Sequence, residues 1–325
     1  MGSPTPAVLS SRPEPLGGVY AALFLQVVIN AGTYLAGKRA MAELPPVTVV
    51  LWRFLLCAVI FCALLVFTPG RKLPPRSEWR RVVLLGLLAG PINQVLFFSG
   101  LARSSAAHAA LFYALTPLGV YLLSLARGQE RPSFRATLGI LTALLGVVVL
   151  LLGRGLALAG GSLLGDLLIL AAVSAWVVYT TESKVLAAGQ GALRSTSWSM
   201  VAATLLLVPV MPFCLEPALT LGASARAQGS IVYLAVLTSV VAYLIWSYAL
   251  SKVPASRVAI FTNFQPAMTA LAAWLLMGEP LHTELFVGGG LVLLGVRLTQ
   301  LAPPEPGEAE GAPGALEGAA PAVKG

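Results

Sequence analysis

Residues 101 to 117, LARSSAAHAALFYALTP, and residues 250 to 266, LSKVPASRVAIFTNFQP, read as two copies of one segment. Laid on each other at an offset of 149, they pair Leu101 with Leu250, Ala106 with Ala255, Ala110 with Ala259, Phe112 with Phe261 and Pro117 with Pro266, and set Arg103 against Lys252. The register runs without a gap from 97–147 on 246–296, adding Glu130 on Glu279, Gly139 on Gly288 and Gly146 on Gly295. Two unrelated apolar stretches align leucine with leucine, but they rarely bring a proline, a glutamate and two glycines into one register. Earlier in the two halves the offset becomes 146, pairing Lys38 with Lys184 and Trp52 with Trp198.

The material around this repeat is too apolar for a soluble fold. Of 325 residues, 57% are hydrophobic and only 10% charged, with a mean hydropathy of +0.84, leaving too little polar surface to cover a water-soluble domain. Ten apolar runs lie at about 16–37, 46–68, 79–100, 104–126, 134–153, 165–187, 194–215, 229–250, 255–277 and 283–302. Each can cross a hydrocarbon layer roughly 30 Å thick at about 1.5 Å per residue. Pro45, Pro46, Pro69, Pro74, Pro75, Pro132, Pro254 and Pro280 fall in the connections, where a missing amide donor does no harm. The first run is followed by others of equal length and reads as a helix rather than a cleaved leader. The expected organisation is a disordered tail at 1–15, a five-helix repeat at 16–153, a connecting loop at 154–164, a second five-helix repeat at 165–302 and a disordered tail at 303–325.

Basic residues are distributed unequally between the connections. Fifteen lysines and arginines fall on one side of these spans, and only Lys38, Arg39, Arg103, Arg154 and Arg226 on the other. Such a bias places the richer side in the cytoplasm, and with it both termini. Five helices are an odd number, so the second copy starts from the opposite face. The expected fold is therefore an all-α integral membrane protein of ten transmembrane helices in two inverted five-helix repeats. Inverted repeats give a physical route to alternating access, since each half can take the conformation of the other around a central site.

Several motifs in order along both halves resemble the EamA-type transporters of the drug/metabolite transporter superfamily: NAGTYLAGK at 30–38, WRF at 52–54, TPL at 116–118, GDLLILAAVSAWVVYT at 165–180 and MGEPL at 277–281. The resemblance covers about 17–302 and implies a secondary transporter of the inner membrane, moving small polar metabolites, commonly amino acids or related compounds, by export. Sugar-phosphate and nucleotide-sugar carriers belong to the same superfamily and form the alternative. An intramembrane enzyme or receptor is the alternative of another class; an enzyme would need a nucleophile, metal set or paired carboxylates within the spans, and a receptor has no need of an inverted duplication.

Polar and aromatic residues inside the spans are the candidates for a binding site. Arg53 lies about seven residues into the second span, where a guanidinium is costly unless it meets a partner, water or an anionic group of a substrate. Asn30 and Tyr34, one turn apart, share a face of the first helix, and Trp176 and Tyr179 share a face of its counterpart, the sixth. Asn93, Gln94, Tyr113, Tyr243, Trp246, Asn263 and Gln265 complete the set. Unsatisfied amides are costly in lipid, so these groups face protein or a wet central cavity. Pro117 and Pro266, mid-helix at equivalent places, read as kinks or gating hinges. Glu130 and Glu279, just beyond the fourth and ninth helices, are placed to support the start of the helix that follows. His108 is the one titratable candidate for a proton relay, because no acidic residue sits clearly in mid-span.

Cys57, Cys62 and Cys214 lie in apolar runs without a second thiol or histidine at ligand spacing, so neither disulfide nor metal is expected. There is no P-loop motif, and no cofactor is expected. The net charge of +8 reflects membrane orientation rather than a nucleic-acid partner. A small-molecule substrate and membrane lipid are the expected partners of a monomer or homodimer, the glycines at Gly86, Gly90, Gly288, Gly289, Gly290 and Gly295 allowing close helix contact within or between chains.

Overall fold

The structure, a computed structural model of the chain, describes residues 16–67, 73–104, 109, 112–153, 163–265, 267, 268, 271, 275 and 283–301. Among these residues helix follows helix and no strand occurs. In chain order the main helices are α1 (Leu16–Met41), α2 (Pro46–Phe67), α3 (Arg76–Leu101), α4 (Phe112–Ala126), α5 (Phe134–Gly153), α6 (Leu163–Gln190), α7 (Ala192–Cys214) and α8 (Ala225–Lys252), with a short helix, Pro217–Gly222, between the last two. α9 opens with Ala255–Ala259 and tightens into a 3-10 segment, Ile260–Phe264, and α10 is Thr283–Gln300. Of the ten expected spans, six are matched by helices long and apolar enough to cross a membrane, namely α1, α2, α3, α6, α7 and α8. Shorter apolar stretches, Phe112–Ala126, Phe134–Val149 and Phe286–Thr299, stand at α4, α5 and α10. Both expected tails, most of the expected 154–164 loop, and the residues His108, Pro266 and Glu279 lie outside the described residues.

Two of the long helices widen into π turns. α3 widens into a π turn at Leu88–Ile92 around Pro91, whose ring and missing N–H are incompatible with an uninterrupted α-helix. α8 widens at Leu234–Val241 with no proline present. At the offset of 149 the first turn falls on 237–241, inside the second, so the irregularity belongs to the repeat and not to the proline alone. In α4, Pro117 follows an interruption at Leu115 and occupies the first turn of the segment Thr116–Ala126, where its fixed φ suits a helix start.

Glycines set how closely the helices approach. A Cβ on Gly139 would lie 2.6 Å from the Gly295 carbonyl oxygen, and one on Gly146 would lie 2.6 Å from that of Gly288. The glycine pairs that the repeat makes equivalent are thus crossed between α5 and α10, each packed on the other's partner. Gly86 of α3 meets Ser199 and Ala203 of α7, and Gly90 meets Ala203 and Phe54. Gly86, Gly90, Gly288 and Gly295 therefore serve contacts within the chain, whereas a Cβ on Gly289 or Gly290 would meet nothing within 4 Å. Leu23, Leu51, Phe54, Phe61, Phe98, Ile169 and Met200 fill the interior. The outside carries Val59, Leu122, Leu141, Leu205 and Leu293, a surface suited to lipid rather than to water.

Ionic and polar contacts collect at the two ends of the bundle. At one end Glu182 accepts from Arg81 Nε at 3.2 Å and from Arg127, and Arg194 donates to the Leu73 carbonyl at 2.7 Å. All three arginines belong to the basic-rich side of the chain. At the other end the Ser224 amide and hydroxyl donate to Glu43 at 2.7 and 2.6 Å, and Ser104 donates to Asp166 at 2.5 Å. Glu130 departs from expectation. Among the described residues its carboxylate bonds not to α5, the helix that follows it, but to α9, accepting from the Ser256 amide at 3.0 Å and the Ser256 hydroxyl at 2.5 Å. The reason is electrostatic: the first turn of α9, brought over from the other half, presents free amides that a buried carboxylate satisfies.

Candidate functional site

The site is built around Arg53. Its position in the first half of α2 carries it into the interior, where it is 2% exposed, and the wide turns of α3 and α8 supply its acceptors. Arg53 Nε donates to Ser239 Oγ at 2.5 Å, and Nη1 donates to Gln94 Oε1 at 2.6 Å. Ser239 can accept because its own proton goes to the Leu234 carbonyl at 3.0 Å, five residues back, a span that only the π turn makes available. No carboxylate pairs with Arg53 among the described residues. Its guanidinium carbon also stands 6.0 Å from the Phe98 ring centre, a favourable placement for a desolvated cation.

A chain of amides continues from it. Gln94 Nε2 donates to Asn93 Oδ1 at 2.5 Å, and Asn93 Nδ2 donates to the Tyr113 hydroxyl at 3.0 Å and the Ala172 carbonyl at 2.7 Å. α2, α3, α4, α6 and α8 are thereby tied together at one depth. Beside the network is a cavity of about 70 Å³. α1 contributes Gln26, Asn30, Thr33 and Tyr34; α2 and α3 contribute Arg53, Asn93, Gln94 and Phe97; Tyr113 comes from α4. The second half adds Trp176, Thr238, Tyr243, Trp246, Thr262 and Gln265. One wall is aromatic, Trp176 standing 5.0 Å from Tyr179 and 5.5 Å from both Tyr243 and Trp246, ring centre to ring centre.

The structure brings ten of the sequence-predicted residues to this cavity and leaves two outside it. Tyr179 is buried beneath the aromatic wall, stacked on Trp176. Asn263 is wholly buried, and neither of its amide atoms finds a partner among the described residues. Sequence reasoning missed Gln26, Thr33, Phe97, Thr238 and Thr262. Gln26 was available, since it lies one turn before Asn30 on the same face. The threonines carried no signal: Thr238 and Thr262 satisfy themselves on the carbonyls of Leu234 and Ala259, as any threonine in a helix can. Among the fully buried atoms of the described lining residues, Trp246 Nε1, Gln26 Oε1 and Thr33 Oγ1 have no hydrogen-bond partner.

The family model described as the EamA-like transporter family matches twice, over residues 17–152 and 163–301. The chain belongs to the EamA-like transporter family. The two matches are the two repeats, so the cavity is walled by both EamA units. Among curated EamA relatives, an uncharacterized transporter of Archaeoglobus fulgidus is 29% identical over 277 residues, covering 84% of this chain and 95% of its own. The uncharacterized transporter YyaM of Bacillus subtilis is 26% identical, covering 86% and 92%. A probable terminal-alkyne amino-acid exporter of Streptantibioticus cattleyicolor is 27% identical over 229 residues, covering 70% and 75%. A solved crystal structure superposes with a TM-score of 0.71 at 20% identity, over 88% of this chain and 97% of that one, a likeness of fold.

Proposed function

We propose that this EamA-family protein is a secondary transporter of the inner membrane that moves a small polar metabolite bearing a carboxylate, an amino acid or a related compound, outward by alternating access. The observation that carries the reading is Arg53: a buried guanidinium at a cavity between the repeats, bonded to neutral acceptors and to no carboxylate among the described residues. A fork of this kind binds a carboxylate in two-point fashion. The amino-acid assignment draws on the relative named a probable amino-acid exporter. Ten crossings and cytoplasmic termini follow from the repeat arithmetic and the bias of basic residues. A sugar-phosphate or nucleotide-sugar carrier fits less well, because Arg53 is the single charged residue among the described residues lining the cavity, where a phosphate group favours more than one cation.

The reading is tested by counterflow of labelled amino acids, amines and sugar phosphates in proteoliposomes. Saturable exchange of a carboxylate-bearing solute is expected. Exchange confined to sugar phosphates would establish the alternative carrier, and exchange confined to amines would contradict the role given to Arg53.

A further inference from the structure

The sign and number of charges at the cavity say more about the solute than its size class. Arg53 is the only ionisable side chain of permanent charge among the described lining residues, and its partners, Ser239 and Gln94, are neutral. Acidic side chains are held elsewhere. Glu182 is bound to arginines at one end of the bundle, and Glu130 to the start of α9. Glu43 and Asp166 are bound to serines at the other end. The described lining of the cavity therefore carries a net charge of one positive unit in surroundings that solvate it poorly. A solute of net charge zero leaves that charge in place and, if zwitterionic, adds an ammonium beside a guanidinium. A solute with one negative charge cancels it. Two of the lining residues also hold a neutral polar atom without a partner among the described residues, the donor Trp246 Nε1 and the acceptor Gln26 Oε1.

Resting on the transport reading and the carboxylate role of Arg53 above, but setting aside the amino-acid assignment drawn from the relative's name, we propose that the solute is carried as a monoanion, a small carboxylate with no compensating ammonium, and that its net movement is electrogenic. Neutralising Arg53 removes the charge penalty from the loaded, occluded state through which the two halves must rock. The inside-negative membrane potential then drives the anion outward, so export needs no coupled proton or sodium ion. This agrees with the sequence, in which no aspartate or glutamate falls in the middle of a span.

The test uses the full chain in proteoliposomes and three solutes on one carbon skeleton: L-lactate, L-alanine and L-alaninamide, with net charges of −1, 0 and +1. Net uptake above protein-free vesicles is followed while potassium gradients and valinomycin set the potential. The expected result is saturable lactate uptake with kcat/KM at least about tenfold above that of alanine, no alaninamide uptake, and a shift of about tenfold in the lactate distribution for a tenfold potassium gradient. Arg53→Gln abolishes the lactate signal, and Arg53→Lys keeps part of it, since the charge remains and the fork is lost. Should either variant fail to fold, the three-solute comparison on the wild type decides alone. Alanine carried as well as lactate, or lactate uptake indifferent to potential, overturns the monoanion proposal and leaves the transport reading standing. Uptake of none of the three also overturns it, and the broader counterflow panel then judges transport separately.

Discussion

Gln94 and Tyr243, 149 residues apart and equivalent in the two repeats, meet at the centre of the bundle with Gln94 Nε2 3.5 Å from the Tyr243 hydroxyl. Each follows the wide turn of its own helix, and Arg53 reaches in beside them. The duplicated site has thus diverged, one copy keeping an amide that accepts from the arginine and the other a phenol that does not. Gln94→Ala removes a charge-assisted acceptor and is expected to cost about 1.5–3 kcal/mol, seen as a clear fall in melting temperature in detergent. Tyr243→Phe, which leaves both bonds of Arg53 intact, is expected to cost less than about 1 kcal/mol. Equal losses from the two substitutions would place the anchoring of Arg53 elsewhere.

The crossed glycines of α5 and α10 make a packing prediction. A Cβ at Gly295 would come within 2.5 Å of the Ala143 amide, whereas one at Gly289 meets nothing within 4 Å. Gly295→Val should reduce folded yield and melting temperature strongly, by the roughly 1–3 kcal/mol or more of an overpacked contact. Gly289→Ala should be neutral. Thermal unfolding of the two variants side by side checks the pair.

The carboxylate of Glu130 satisfies the first turn of α9 across the boundary between the halves. Glu130→Ala leaves the Ser256 amide without its acceptor and is expected to cost about 1–2 kcal/mol, within the range of lost helix caps. Ser256→Ala, which keeps the amide bond, should cost less. The order of the two melting temperatures is the readout.

Glu43, outside the spans, has its carboxyl held below the usual range by the hydroxyl and amide of Ser224. A depressed carboxyl lends stability above its unfolded value, and that stability is lost as pH falls through the folded value. The wild type is therefore expected to lose melting temperature more steeply below about pH 4 than Ser224→Ala, and to match its slope at neutral pH. Parallel curves throughout would show that the Ser224 contact is not what holds Glu43.

The repeat, the helices and most of the cavity were legible because each left a one-dimensional trace. Pro117 on Pro266 and Gly139 on Gly288 survive as matched letters, and polar letters such as Asn93 and Gln94 stand out in an apolar run. What left no such trace was shape. Nothing in LAVLTSVV at Leu234–Val241 announces a π turn, yet that turn sends the Ser239 proton to Leu234 and frees its oxygen for Arg53. Tyr179 and Trp176 share a helical face, but the small lateral offset between them decides that one lines the cavity and the other lies beneath. Asn263 shows the converse limit: a polar letter in a span marks a buried group without saying what it faces. Glu130 was readable as a helix-start partner, but sequence neighbourhood pointed to α5 where the inverted packing supplies α9.

The most direct measurement of the central claim, that the cavity between the two EamA units carries its solute on Arg53, is counterflow in proteoliposomes with wild type and Arg53→Gln at matched folded amounts. Loss of exchange by about a hundredfold in the variant, beyond anything its folded amount explains, is the predicted result, as expected when a buried charge partner is removed. A folded Arg53→Gln protein that exchanges the same solute at the wild-type rate would contradict it and leave Arg53 as a structural tie between α2, α3 and α8.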